Sequence, residues 1–237
     1  MRPQNAGAPA AVWYHSGVRG YAMCLGVVLV VSGCGAGPQP EPTGATTPAA
    51  TSAAPNPAAI ERVRSDLPPG YEVAELPGNA APAAFWGVKP DWTADPPQCA
   101  VLADPGAGAP THGWSASGPG GIIHAVVAGP GARPPIPPGC AAWTLTGGRT
   151  TAAVSAVGGP DIADTPTVAM AAVATTVVEG GTETRSHADT ATAFLHSGYV
   201  VFVTVVTDPG SALPTLGPDV AARLLVSAVA GISGRPG

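Results

Sequence analysis

From Ala59 onward, short apolar runs alternate with clusters of glycine and proline, and the spacing of the apolar positions identifies each element. Over residues 59–67, Ile60, Val63 and Leu67 fall on one helical face, and Pro68-Pro69-Gly70 stops the helix. Residues 71–76 then read as a first strand. A loop-rich stretch follows, with Phe85, Trp86 and Trp92 as anchors, and residues 98–102 form a helical turn that Asp104-Pro105-Gly106 ends. Three strand pairs come next, each turned on glycine. Residues 114–117 and 122–128 flank Gly118-Pro119-Gly120-Gly121, residues 141–145 and 150–157 flank Gly147-Gly148, and residues 173–179 and 182–187 flank Gly180-Gly181. Strands joined this tightly pair antiparallel. Residues 199–207 are almost continuously apolar and β-branched, the pattern of a central strand covered on both faces, and Asp208-Pro209-Gly210 ends it. In the last helix, Pro218 suits the first position, Asp219 suits the positive end of the dipole, and Asp219 can pair with Arg223 one turn on. Val220, Leu224, Leu225, Ala228, Val229 and Ile232 form its apolar face. The sum predicts a single α+β domain over residues 59–237, an antiparallel sheet of five to seven strands with helices near both ends packed on it.

Upstream the pattern differs. An apolar run over residues 21–31 follows Arg19 and closes on Ser32-Gly33-Cys34. It is too short for a transmembrane helix, which needs about 20 residues, and it has the order of a signal peptide. The closing residues look like a bacterial lipobox, in which cleavage before Cys34 leaves that cysteine carrying lipid. Residues 1–33 are then a leader, and its compact form points to a start near Val18 or Met23. Residues 34–58 are Gly, Pro, Ala, Thr and Ser around a single charge, Glu41, and hold no apolar group large enough to offset the entropy of ordering. They read as a linker. Its threonines among prolines resemble glycosylated stalks, and a plain spacer would serve equally. With Cys24 in the leader and Cys34 lipidated, Cys99 and Cys140 remain, and in an exported protein they most simply form one disulfide. They lack the paired spacing that zinc favours.

Charge narrows the partners. From residue 59 on there are 8 basic and 14 acidic side chains, and Lys89 is the only lysine. That balance argues against nucleic acid and against a polybasic contact with anionic lipid. Candidate chemistry is sparse. Glu183, Arg185, His187 and Asp189 alternate along a strand and so share one face, where a histidine between carboxylates could titrate near neutrality. The plainer account is the solvated side of a half-buried strand. Gly113-Trp114-Ser115-Ala116-Ser117-Gly118 lacks the fifth glycine and the following helix of a nucleophile elbow, and the histidines lack metal-ligand spacing. Trp86, Trp92, Trp114 and Trp143 stand out in a domain poor in aromatics. Trp143 lies three residues from Cys140 and so can pack on the disulfide. Trp86 and Trp92, set among prolines and glycines, are the ones placed to line an accessible ligand site.

The lipobox, the Pro/Thr linker, the two cysteines and the run Val178-Glu179-Gly180-Gly181-Thr182-Glu183-Thr184, followed by Ala188-Asp189-Thr190 and Val205-Val206-Thr207-Asp208-Pro209-Gly210-Ser211, resemble mycobacterial lipoproteins with a domain of unknown function. More distantly the layout is similar to the extracellular sensor domain of a mycobacterial receptor serine/threonine kinase, an α+β fold with a cleft. That sensor has two disulfides, and this chain can form one. The resemblance carries no catalytic motif, cofactor or metal. It implies a non-enzymatic protein held to the extracytoplasmic face of the cell membrane through Cys34. Its partner would be a small envelope molecule, bound or sensed near Trp86, Trp92 or the Glu183, Arg185 and His187 face. A structural or assembly role through contact with an envelope protein is the alternative.

Overall fold

The computed structural model describes residues 54–76, 78, 80–131, 136–207 and 213–234. The leader, Cys34, the linker up to residue 53 and the turn at residues 208–210 lie outside the described residues. The described part belongs to one unit, Ala50–Gly237. Its centre is a nine-stranded sheet in the order β1-β3-β4-β9-β8-β7-β6-β5-β2, antiparallel throughout. In chain order the strands are β1 (Glu72–Glu75), β2 (Thr93–Asp95), β3 (Thr111–Gly118), β4 (Gly121–Ala128), β5 (Ala142–Gly147), β6 (Thr150–Val157), β7 (Thr167–Val177), β8 (Glu183–Phe194) and β9 (Val200–Val206).

The expected five to seven strands are therefore too few. Every apolar run read as a strand joins the same sheet, because each glycine-turned hairpin offers an edge that the next one completes. Thr93–Asp95 adds a ninth by pairing with β5, which three residues inside a proline-rich loop could not announce. The β7–β8 hairpin is also longer than its sequence signal. Its base, from Thr167 paired with Ala193, is rich in alanine, which is depleted in strands.

β9 is central, as expected, and all but its last residue are buried. On one face lie a 3₁₀ helix, Pro57–Asp66, and the C-terminal helix, which with the two short helices α1 (Pro82–Phe85) and α2 (Ala100–Ala103) is α3 (Pro218–Ser233). Pro57 and the three-residue step from Ile60 to Val63 suit the tighter helix, and both apolar side chains are buried. All six apolar residues expected on the final helix are buried, Ala221 joins them, and Asp219 accepts a hydrogen bond from Arg223. The two ends of the domain are tied together, since Asn56 N–H donates to the Ile232 carbonyl at 2.9 Å, and the 3₁₀ helix is fixed to β3, where Trp114 Nε1 donates to the Ile60 carbonyl at 3.0 Å. Each fully buried Leu, Ile or Val contributes roughly 1.5–3 kcal/mol, so this face is held chiefly by α3.

That covering spans only half of the sheet. Its core draws strand residues from β3, β4, β8 and β9, and none from β5, β6 or β7. The opposite face is covered by α1, α2 and the residues around them, over a core that reaches across the sheet from β4 to β5. There the disulfide between Cys99 and Cys140 joins the start of α2 to the chain just ahead of β5.

Candidate functional site

Glu183, Arg185, His187 and Asp189 do share one face of β8, the same face as Ala191 and Ala193 of the α3 core but nearer the start of the strand. Arg185 and Glu183 stand 3.9 Å apart with side chains 70% and 55% exposed, a contact worth little in water. Asp189 is the exception. It sits at the margin of the covered half, where burial raises its pKa and the neighbouring His187 draws it back. The quartet is a solvated face with one partly sheltered carboxyl. Ser115 lies inside β3, which runs into a hairpin and not into the strand-to-helix turn of a nucleophile elbow.

The tryptophans divide sharply. Trp86 is not on an accessible loop. Its indole is 1% exposed, packs 6.0 Å from the ring of Trp143, and donates Nε1–H to Thr190 Oγ1 at 3.0 Å. Thr190 in turn shares a 2.9 Å hydrogen bond with Thr204, so a short polar chain is sealed in the core. The proline and glycine around Trp86 shape the tight α1 turn, which pushes the ring inward. Trp143 belongs to the same core as Cys99 and Cys140, as expected. Trp114 is fully buried on the other face.

Trp92 is only half-buried, and it lines a cleft of about 420 Å³. This falls in the size range of small-molecule sites, roughly 300–1,000 Å³. One wall is α1 and the two residues ahead of it, through Ala80, Ala81 and Ala84. A second is the segment carrying Val88, Pro90 and Trp92, and a third is the loop after α2, with Asp104 and Gly106. Glycines allow the walls to close. A Cβ at Gly147 would come within 2.8 Å of Val88, and one at Gly106 within 2.4 Å of the Ala128 Cβ. The segment ahead of β2 therefore lies directly on the β5–β6 turn, and the loop after α2 lies directly on β4.

Among the described residues, Asp104 is the one ionisable residue on the cleft wall. Burial raises its pKa, and a backbone hydrogen bond from Gly106 partly offsets that. In the sequence Asp104-Pro105-Gly106 reads as a helix stop, and nothing local marks it as more. Thr111, also on the wall, donates its hydroxyl to the Gly78 carbonyl at 2.6 Å. A shallower hollow of about 370 Å³ lies between residues 66–68 and α3, but its one cation, Arg223, is engaged by Asp219 and it has no aromatic wall.

His124 is the most perturbed group nearby. It stacks on Phe85 of α1 with ring centroids 3.9 Å apart and planes 1° from parallel, its Nδ1 has no partner among the described residues, and burial lowers its pKa to about 4. The neutral ring acts as a core aromatic beneath α1.

Among the described residues, no helix is long and apolar enough to cross a membrane and no group of His, Cys, Asp and Glu is arranged to hold a metal ion. No curated protein matches the chain. The fold is similar to that of an uncharacterized protein of Mycobacterium smegmatis, the Rv0999 ortholog, known from an X-ray structure. The TM-score is 0.57 at 20% identity, over 76% of this chain and 97% of that one, a likeness of fold alone. Residues 56–233 match a family model across both helical ends and the whole sheet, and the chain belongs to that family, described as a domain of unknown function (DUF5642).

Proposed function

We propose that this protein is a lipid-anchored component of the mycobacterial cell envelope, tethered through Cys34, whose domain binds or senses a small molecule without chemical turnover. The observation that carries the ligand reading is the Trp92–Asp104 cleft. It is concave and, among the described residues, is walled by alanine, valine and proline around one aromatic ring and one carboxyl, the makeup of a recognition site. The lipobox and the linker support the anchor. The resemblance to a receptor-kinase sensor domain supports sensing over catalysis.

A second reading, an assembly role through protein contact, draws on the half of the sheet left open over β5–β7. Val157 and Val177 are 55% and 41% exposed there.

Native mass spectrometry of residues 54–237, purified from a mycobacterial host, separates the two. A co-purifying mass that is lost on denaturation and missing from Trp92→Ala supports the cleft. A clean mass for both proteins, with envelope cross-links mapping to β5–β7, favours assembly. Fractionation of cells carrying Cys34→Ala tests the anchor, and the protein is expected to leave the membrane fraction.

A further inference from the structure

We propose that the cleft selects an organic ammonium ion, held between the Trp92 indole and the Asp104 carboxylate. The inference deepens the ligand reading above and rests on it.

The lining decides the class. Among the described residues of the wall the carboxylate has no cationic neighbour, an arrangement that disfavours phosphate, sulfate and carboxylate ligands. Lys89 offers no compensation, because its stem lies along Gly148 at the β5–β6 turn and it is not among the residues that line the cleft. A bare metal ion needs several oxygen ligands, and one carboxylate does not supply them. A sugar needs a ring of donors and acceptors. Here the polar side chains among the described residues are Asp104 and Thr111, and the Thr111 hydroxyl proton is already given to Gly78.

What remains is a cation with an apolar shell. The face of an indole attracts such a group through its quadrupole, a carboxylate supplies the counter-charge, and alanine, valine and proline walls accept the alkyl surface. The acidic excess of the domain, 14 acidic against 8 basic side chains from residue 59 on, draws cations toward it. The half-buried state of Asp104 fits the same occupant. A carboxyl that loses hydration on folding regains favourable charge interaction when a cation sits beside it.

The test uses residues 54–237, the unit that contains the whole core and the disulfide, with choline as the probe. 3,3-Dimethylbutan-1-ol, which has carbon in place of the nitrogen, serves as its neutral isostere. The Trp92 indole N–H resonance, assigned by its loss in Trp92→Phe, reports occupancy by NMR. Choline is expected to shift that signal and to bind about tenfold more tightly than the alcohol. Asp104→Asn should abolish the preference. In the wild-type protein, salt raised to about 0.5 M should weaken choline and leave the alcohol unchanged, which tests the charge without a variant. Equal binding of choline and alcohol, or a preference that survives Asp104→Asn, overturns the cation while leaving the cleft as a ligand site. A Trp92 signal unmoved by choline overturns the inference too, and the mass measurement then decides whether the cleft holds any ligand.

Discussion

Two tryptophans six positions apart have opposite roles, and the difference lies in what each indole N–H can reach. Trp86 gives its proton to Thr190 inside the core, so Thr190→Val leaves a buried donor unpaired and should cost about 1–3 kcal/mol in urea unfolding. Trp92→Phe, at a half-buried cleft wall, should stay within about 1 kcal/mol. His124 makes a second prediction at this scale. Its folded pKa of about 4 lies below the ordinary 6.5, so between those values the unfolded chain binds the extra proton. Stability contributed by the neutral ring is therefore complete above pH 6.5 and is lost as pH falls toward 4, by roughly 3 kcal/mol in all. Asp104 and Asp189 work the other way. Their raised pKa values favour the fold at low pH, and that contribution fades as pH rises past the ordinary carboxyl value. Replacing His124 with Phe should flatten the slope between pH 4 and 6.5, measured by the urea midpoint.

At the scale of elements, the cleft depends on segments too short to hold themselves in place. α2 and the 3₁₀ turn before it total seven residues, far below the length at which a helix is stable alone. The disulfide fixes them to the chain ahead of β5, and with them Asp104. Closing a span of 41 residues is worth roughly 4 kcal/mol in the chain-entropy account. Replacing both cysteines with alanine should lower stability by about that amount. It should also broaden the Trp92 indole resonance, because the cleft loses its third wall. An unchanged Trp92 signal in a destabilised variant would mean that glycine-close packing alone holds the loop.

For the whole molecule, the strand order places protection at the middle and openness at the rims. β9 lies between β4 and β8 and is buried on both faces, whereas β1 and β2 are the edges, four and three residues long and largely exposed. Amides of β9 should exchange with solvent only through global unfolding, and those of β1 and β2 through local fraying that costs several kcal/mol less. Hydrogen exchange read by NMR checks this. Slow exchange at β2 would show that the disulfide-linked segment protects an edge its length cannot.

Much of this architecture was legible residue by residue. The glycine-turned hairpins, the central run at residues 199–207, the pairing of Cys99 with Cys140 and the buried face of α3 all follow from local rules. Apolar periodicity states which side of an element is buried, glycine states where the chain turns, and two cysteines left over in an exported chain have one another. The number of strands, the inward turn of Trp86 and the part played by Asp104 did not follow. Each depends on which distant segment lies across it: Thr190 over Trp86, the β5–β6 turn beneath residues 88–92, α1 opposite the loop after α2. Burial along one element is written in its own sequence, whereas a cavity is the space between elements, and only their packing determines where it opens and which charge is left facing it.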